Sequence, residues 1–65
     1  ELASKYVPAY DLMGDMLALE DPQGAVANYL VARKLDPSNA AKYDYKMRMM
    51  RTDAGRKAIV ARRFL

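Results

Sequence analysis

A chain of 65 residues, 52% of them hydrophobic, has the apolar material for one small core and too little length for two. It contains neither cysteine nor histidine, which removes disulfides, thiolate metal sites, imidazole catalysis and histidine pH switches. The net charge of +3 is unevenly spread: residues 1–39 hold three basic and six acidic side chains, residues 40–65 hold eight basic ones against Asp44 and Asp53. A chain divided this way can dock head to tail with copies or neighbours, or offer its basic end to an anionic partner.

The first predicted element begins at Pro8, which suits the first turn of a helix because its missing N–H has no partner there. Tyr10, Met13, Met16 and Leu17 follow at spacings of three and four, giving an amphipathic helix of about three turns. Glu20 and Asp21 end it. Asp21-Pro22 then reads as an N-cap followed by a first helical residue, and a second helix runs to Leu35 with Ala25, Val26, Tyr29, Leu30 and Ala32 at helical spacing. Asp36-Pro37 stops it, since a residue before proline is pushed out of helical geometry. A third helix is expected over 40–51, capped by Ser38 or Asn39. Thr52 and Asp53 break it and open a fourth over 54–65. No segment alternates apolar and polar residues as a strand would, so the expected class is all-α, built from antiparallel helical hairpins.

The two halves repeat at 33 residues: Tyr10-Asp11 returns as Tyr43-Asp44, Met16-Leu17 as Met49-Met50, Glu20 as Asp53, and Ala25-Val26 as Ala58-Ile59. Within the first half, Tyr10-x-x-Met13-Gly14-x-x-Leu17, then Ala25-x-x-x-Tyr29, Ala32 and Leu35-Asp36-Pro37, resembles a tetratricopeptide repeat. Gly14 and Ala25 are small where two helices would approach closely, and Tyr10, Leu17 and Tyr29 are large where they would fill the space between. The turn between Gly14 and Ala25 is one residue shorter than the family's. The second unit is weaker, with Lys46 and Met47 at the leucine and glycine positions. The resemblance implies a fragment of a right-handed α-solenoid. Residues 1–39 would form an N-terminal extension plus the first hairpin, and residues 40–65 a second, incomplete one. Because about three such units are needed for independent stability, the chain is expected to be part of a longer protein or larger assembly.

Family members often hold peptides against the first helix of each repeat. The resemblance therefore implies a partner-binding row of Asp11, Asp15, Ala18 and Leu19 in the first unit, and Asp44, Tyr45, Arg48 and Arg51 in the second. The family's basic clamp for C-terminal carboxylates is not matched, because Asp11 and Asp15 stand at its lysine and asparagine positions. Tyr6 and Tyr45 fall off the buried positions and are further interface candidates, whereas Met13 and Met50 are expected to fill the core and Ala58, the repeat equivalent of Ala25, to lie on its buried seam. Arg56, Lys57, Arg62 and Arg63 flank Ala58-Ile59-Val60-Ala61 in the last helix and form a basic patch. No catalytic, cofactor-binding or metal-ligating residue is assigned, and enzymatic activity is not expected. The expected function is a protein–protein interaction scaffold that binds other protein subunits or peptides and takes no small-molecule substrate. The alternative is a small basic subunit that binds RNA or an anionic membrane through residues 40–65. No apolar run approaches the roughly 20 residues of a membrane span, and no signal leader is visible, so the compartment stays open.

Overall fold

A computed structural model describes residues 3–65. A 3-10 turn, Ala3–Tyr6, leads into α1, Val7–Leu17; α2 spans Pro22–Leu35, a second 3-10 turn covers Pro37–Asn39, and α3 and α4 span Ala40–Met49 and Asp53–Phe64. The described residues are all helix and turn. Local chemistry explains several boundaries. The Asp21 carboxylate accepts the Gly24 amide at 3.0 Å, with Pro22 at the first helical position of α2. The Thr52 hydroxyl accepts the Gly55 amide at 3.0 Å and opens α4. At the end of α3 the Arg56 guanidinium donates to the Met50 carbonyl at 2.7 Å, placing positive charge where the helix dipole is negative. α3 ends at Met49, short of the expected Arg51, because the Met50 amide is shared between the Lys46 and Met47 carbonyls, both at 3.2 Å, and the last turn tightens.

α1 and α2 form a closely packed hairpin. Gly14 and Ala25 are both buried, and a β-carbon added at Gly14 would run into the Tyr29 ring, 2.7 Å from its Cδ1 and Cζ. The small residues therefore let α2 bring a fully buried tyrosine directly over the α1 backbone. Ala18, Ala25, Tyr29, Ala32, Tyr43, Met50 and Ile59 form the core with Val7; Tyr10, Leu17 and Val26 pack against it half-buried. At the α3–α4 turn, Gly55 lies against the Met49 carbonyl with no room for a β-carbon, which lets the two helices follow each other within a few residues.

Two core expectations are corrected. Met13 is 46% exposed, because the α1 face that meets α2 is centred on Gly14 and turns Met13 outward. In α4 the buried position is Ile59, with Ala58 only half-buried; one residue is a rotation of about 100°, so α4 shows its neighbours a different face from the one α2 shows. The packing order agrees. α3 lies on α2, while α4 lies on α3 and returns to touch α1; among the described residues it makes no comparable contact with α2. The four helices close into a ring.

Candidate functional site

α1 places Asp11 and Asp15 one turn apart, facing the inside of this ring, and every other helix sends a side chain to them. From α2, the Tyr29 hydroxyl donates to Asp15 Oδ1 at 2.5 Å. From α3, the Lys46 ammonium reaches Asp11 Oδ1 at 2.7 Å and both Asp15 oxygens at 3.2 and 3.1 Å, and Lys42 reaches Asp11 Oδ2 at 3.2 Å. From α4, Arg63 Nε donates to Asp15 Oδ2 at 2.8 Å and Nη2 to Asp11 Oδ2 at 3.3 Å. Two carboxylates thus hold three cations and a phenol, and no buried side-chain nitrogen or oxygen among the described residues lacks a partner. Lys46 also lies 5.7 Å from the Tyr29 ring centre, within cation–π range.

The expected partner-binding row is corrected for exposure at three of its first-unit members. Asp11 and Asp15 are 5% and 2% exposed and Ala18 is fully buried. The aspartates are used inside the molecule, where they join the second half of the chain to the first.

Ionisation follows from these surroundings. Burial pushes the Asp11 carboxyl up, but the hydrogen bonds and charges of Lys46 and Lys42 together outweigh it and leave the pKa below the usual carboxylate value. Burial first, then the bond to Asp15 and the negative charges of Asp15 and Asp11, raise the Tyr29 phenol well above its ordinary value against the opposing charge of Arg63. Burial is also the main cause that raises Tyr43. The signs define a stability plateau. A lowered Asp11 contributes stability above its unfolded value, near 4, and loses it as pH falls through the folded value. The raised tyrosines contribute fully below their unfolded value, near 10, and that contribution is lost as pH rises through the folded ones. Urea titrations across pH should show a plateau between about 5 and 9 that falls on both sides, with Tyr29 and Tyr43 ionising only as the chain unfolds. Free tyrosinate absorbance from all five tyrosines in the folded state would contradict these burials.

The remaining sequence candidates lie on different surfaces. Asp44, Arg48 and Arg51 border a groove of about 740 Å³ between α2 and α3, with Val26, Met47 and Met50 lining it and Pro22 and Gln23 at its α2 end. Asp44 is paired with Arg33 at 2.9 Å, whereas Arg48 and Arg51 are exposed and meet no carboxylate among the described residues. Tyr45 is 39% exposed and borders the mouth of the Asp11–Asp15 network beside Arg62. Leu19 is 48% exposed in the α1–α2 turn, and Tyr6 is 60% exposed ahead of α1. The basic patch is dispersed: Arg56 and Lys57 pair with Asp53, Lys57 at 3.0 Å, Arg63 belongs to the aspartate network, and Arg62 is left exposed and unpaired among the described residues.

No protein-family model, curated protein or solved structure matches this chain. Its own geometry carries the reading.

Sequence reasoning missed the α2 wall of the groove. The 33-residue repeat contains a signal for it, because Met47 and Met50 stand where Gly14 and Leu17 stand in the first unit. Those are the α1 positions covered by α2. With α4 closing on α1, Met47 is left half-buried on the groove floor, and Met50, 5% exposed, lines it from the core.

Proposed function

We propose that the chain is a non-catalytic protein-binding scaffold module whose first hairpin is tetratricopeptide-like and whose recognition surface is the α2–α3 groove. The observation that carries the reading is the groove itself: a half-buried apolar floor two helical turns long, bordered by two arginines that meet no carboxylate among the described residues. Apolar burial supplies affinity on such a surface, while the rim charges set orientation and on-rate. Gly14 beneath Tyr29, buried Ala25 and the Leu35-Asp36-Pro37 joint support the family likeness of the first hairpin. In an open right-handed solenoid α4 would lie beside α2; here it closes on α1, so the solenoid part of the proposal rests on α1 and α2. Three of the four patch residues are engaged within the chain, which favours protein binding over the RNA or membrane alternative.

A photo-crosslinking residue at Gln23 tests this in extract of the cells that make the protein. The expected result is a discrete protein adduct, absent from a probe at exposed Lys34, abolished by Val26→Glu and reconstituted with the purified partner. Adducts confined to RNA or lipid, or equal labelling from both positions, would overturn the assignment.

A further inference from the structure

The groove has a counterpart elsewhere on the same molecule. Leu12, Met16 and Leu19 are 37%, 61% and 48% exposed, and their spacing of four and three places them along one side of α1 and its turn. The stripe covers seven residue steps, as does the groove wall from Asp44 to Arg51; each is about 10 Å long at 1.5 Å per helical residue. The stripe is closely followed by acid, Glu20 and Asp21, and the groove is edged by base, Arg48 and Arg51. Glu20 is exposed and meets no cation among the described residues. The two surfaces cannot serve each other within one copy, because the aspartate network fixes the inner side of α1 in the ring while the stripe faces out.

We infer that the groove receives the α1 stripe of a second copy of this chain. The inference rests on the groove being a protein-binding surface and names its occupant. Leu12, Met16 and Leu19 of one copy lie over Val26, Met47 and Met50 of the next, and Glu20 meets the Arg48–Arg51 edge. Much of the unequal charge of the two halves is already paired inside the chain; Glu20 on one copy and Arg48 and Arg51 on the next are charges left for a contact between molecules. Each copy uses two different patches, so the contact is head to tail and leaves a free stripe and a free groove at the ends of any open assembly. A contact two turns long lies well below the roughly 1,000 Å² of a stable interface, so association is weak and salt-sensitive.

Sedimentation velocity of the 65-residue chain, from about 10 μM to about 1 mM, reads this directly. Average mass should rise with concentration and rise less at higher salt. Two variants divide the contact: Leu12→Ser with Met16→Ser removes the stripe, and Arg48→Glu with Arg51→Glu reverses the groove edge. All four positions are exposed, so both variants should keep the parent circular dichroism spectrum and melting midpoint. Each alone should associate at least about tenfold more weakly, a difference worth about 1.4 kcal/mol. Mixed together they should recover a one-to-one complex, one variant supplying the stripe and the other the groove, and stop there. A parent chain that stays monomeric at the highest concentration overturns the inference, as does a mixture that gains no complex. If crosslinking from Gln23 still captures a different protein in a Val26-dependent way, self-pairing is wrong and the scaffold reading survives. If both experiments fail, both readings fall.

Discussion

Replacing Gly14 with leucine should lower the thermal midpoint by roughly 10 °C or more. The new β-carbon overlaps the Tyr29 ring, whose Cδ1 and Cζ lie 2.7 Å from it. The ring has nowhere to go: Tyr29 is fully buried and its hydroxyl is held by Asp15. Two effects oppose each other. Leaving glycine improves helix propensity by about 1 kcal/mol, whereas forcing extra carbons into a filled core costs about 1–3 kcal/mol. Leucine adds four carbons at the point of closest approach, so overpacking wins at the upper end of that range. For a domain of this size each kcal/mol moves the midpoint by about 4–8 °C. Ala27→Leu, on the exposed side of α2, is the matched control and should stay within about 0.5 kcal/mol of the parent. Equal melting of the two variants, measured by circular dichroism, would mean that α1 and α2 do not meet at Gly14.

The same residue shows what could be read in the sequence. Gly14, Ala25 and Tyr29 sit at spacings that only a close helical pair uses, and Asp21-Pro22, Asp36-Pro37 and Thr52 mark helix ends through short-range chemistry. The helix-end signals involve neighbours within a few positions and the Gly14–Tyr29 pattern stays within one short hairpin, so both survive without coordinates. The path of α4 does not. It depends on Arg63 meeting Asp15 and Asp11, 48 and 52 positions away, and no local pattern encodes such a pairing. The aspartates illustrate the same boundary from the other side. Two carboxylates four apart look like a solvated helix face, and they become buried charges only when cations arrive from other helices. Met13 and Ala58 depart from the helical pattern for a related reason: helical spacing defines a stripe, but the neighbour decides which edge of it is covered. α4 follows those distant charges to α1, and Met47, on the repeat-related strip of α3, lies half-buried in the groove.

Asp15 is where that choice should be most costly to disturb. Asp15→Ala is expected to destabilise the chain by about 3 kcal/mol, the lower end of the range for removing one member of a buried charge cluster. Its loss leaves the Tyr29 hydroxyl buried without an acceptor and takes one of the two carboxylates from Lys46 and from Arg63. The lower end applies because the Arg63 side chain is 36% exposed and can turn toward water, whereas Lys46, at 15%, has less freedom. By the same reasoning Arg63→Ala should cost only about 1 kcal/mol, near the value of a partly exposed pair, and it leaves both carboxylates with Lys46. The two effects should not add. Once Asp15 is gone, removing Arg63 deletes only its weaker bond to Asp11, so the double variant should fall short of the sum by at least about 0.5 kcal/mol. Urea unfolding of the parent, the two single variants and the double variant measures this coupling. Strict additivity would show that Arg63 and Asp15 do not meet in solution, and the closing of α4 on α1 would lose its cause.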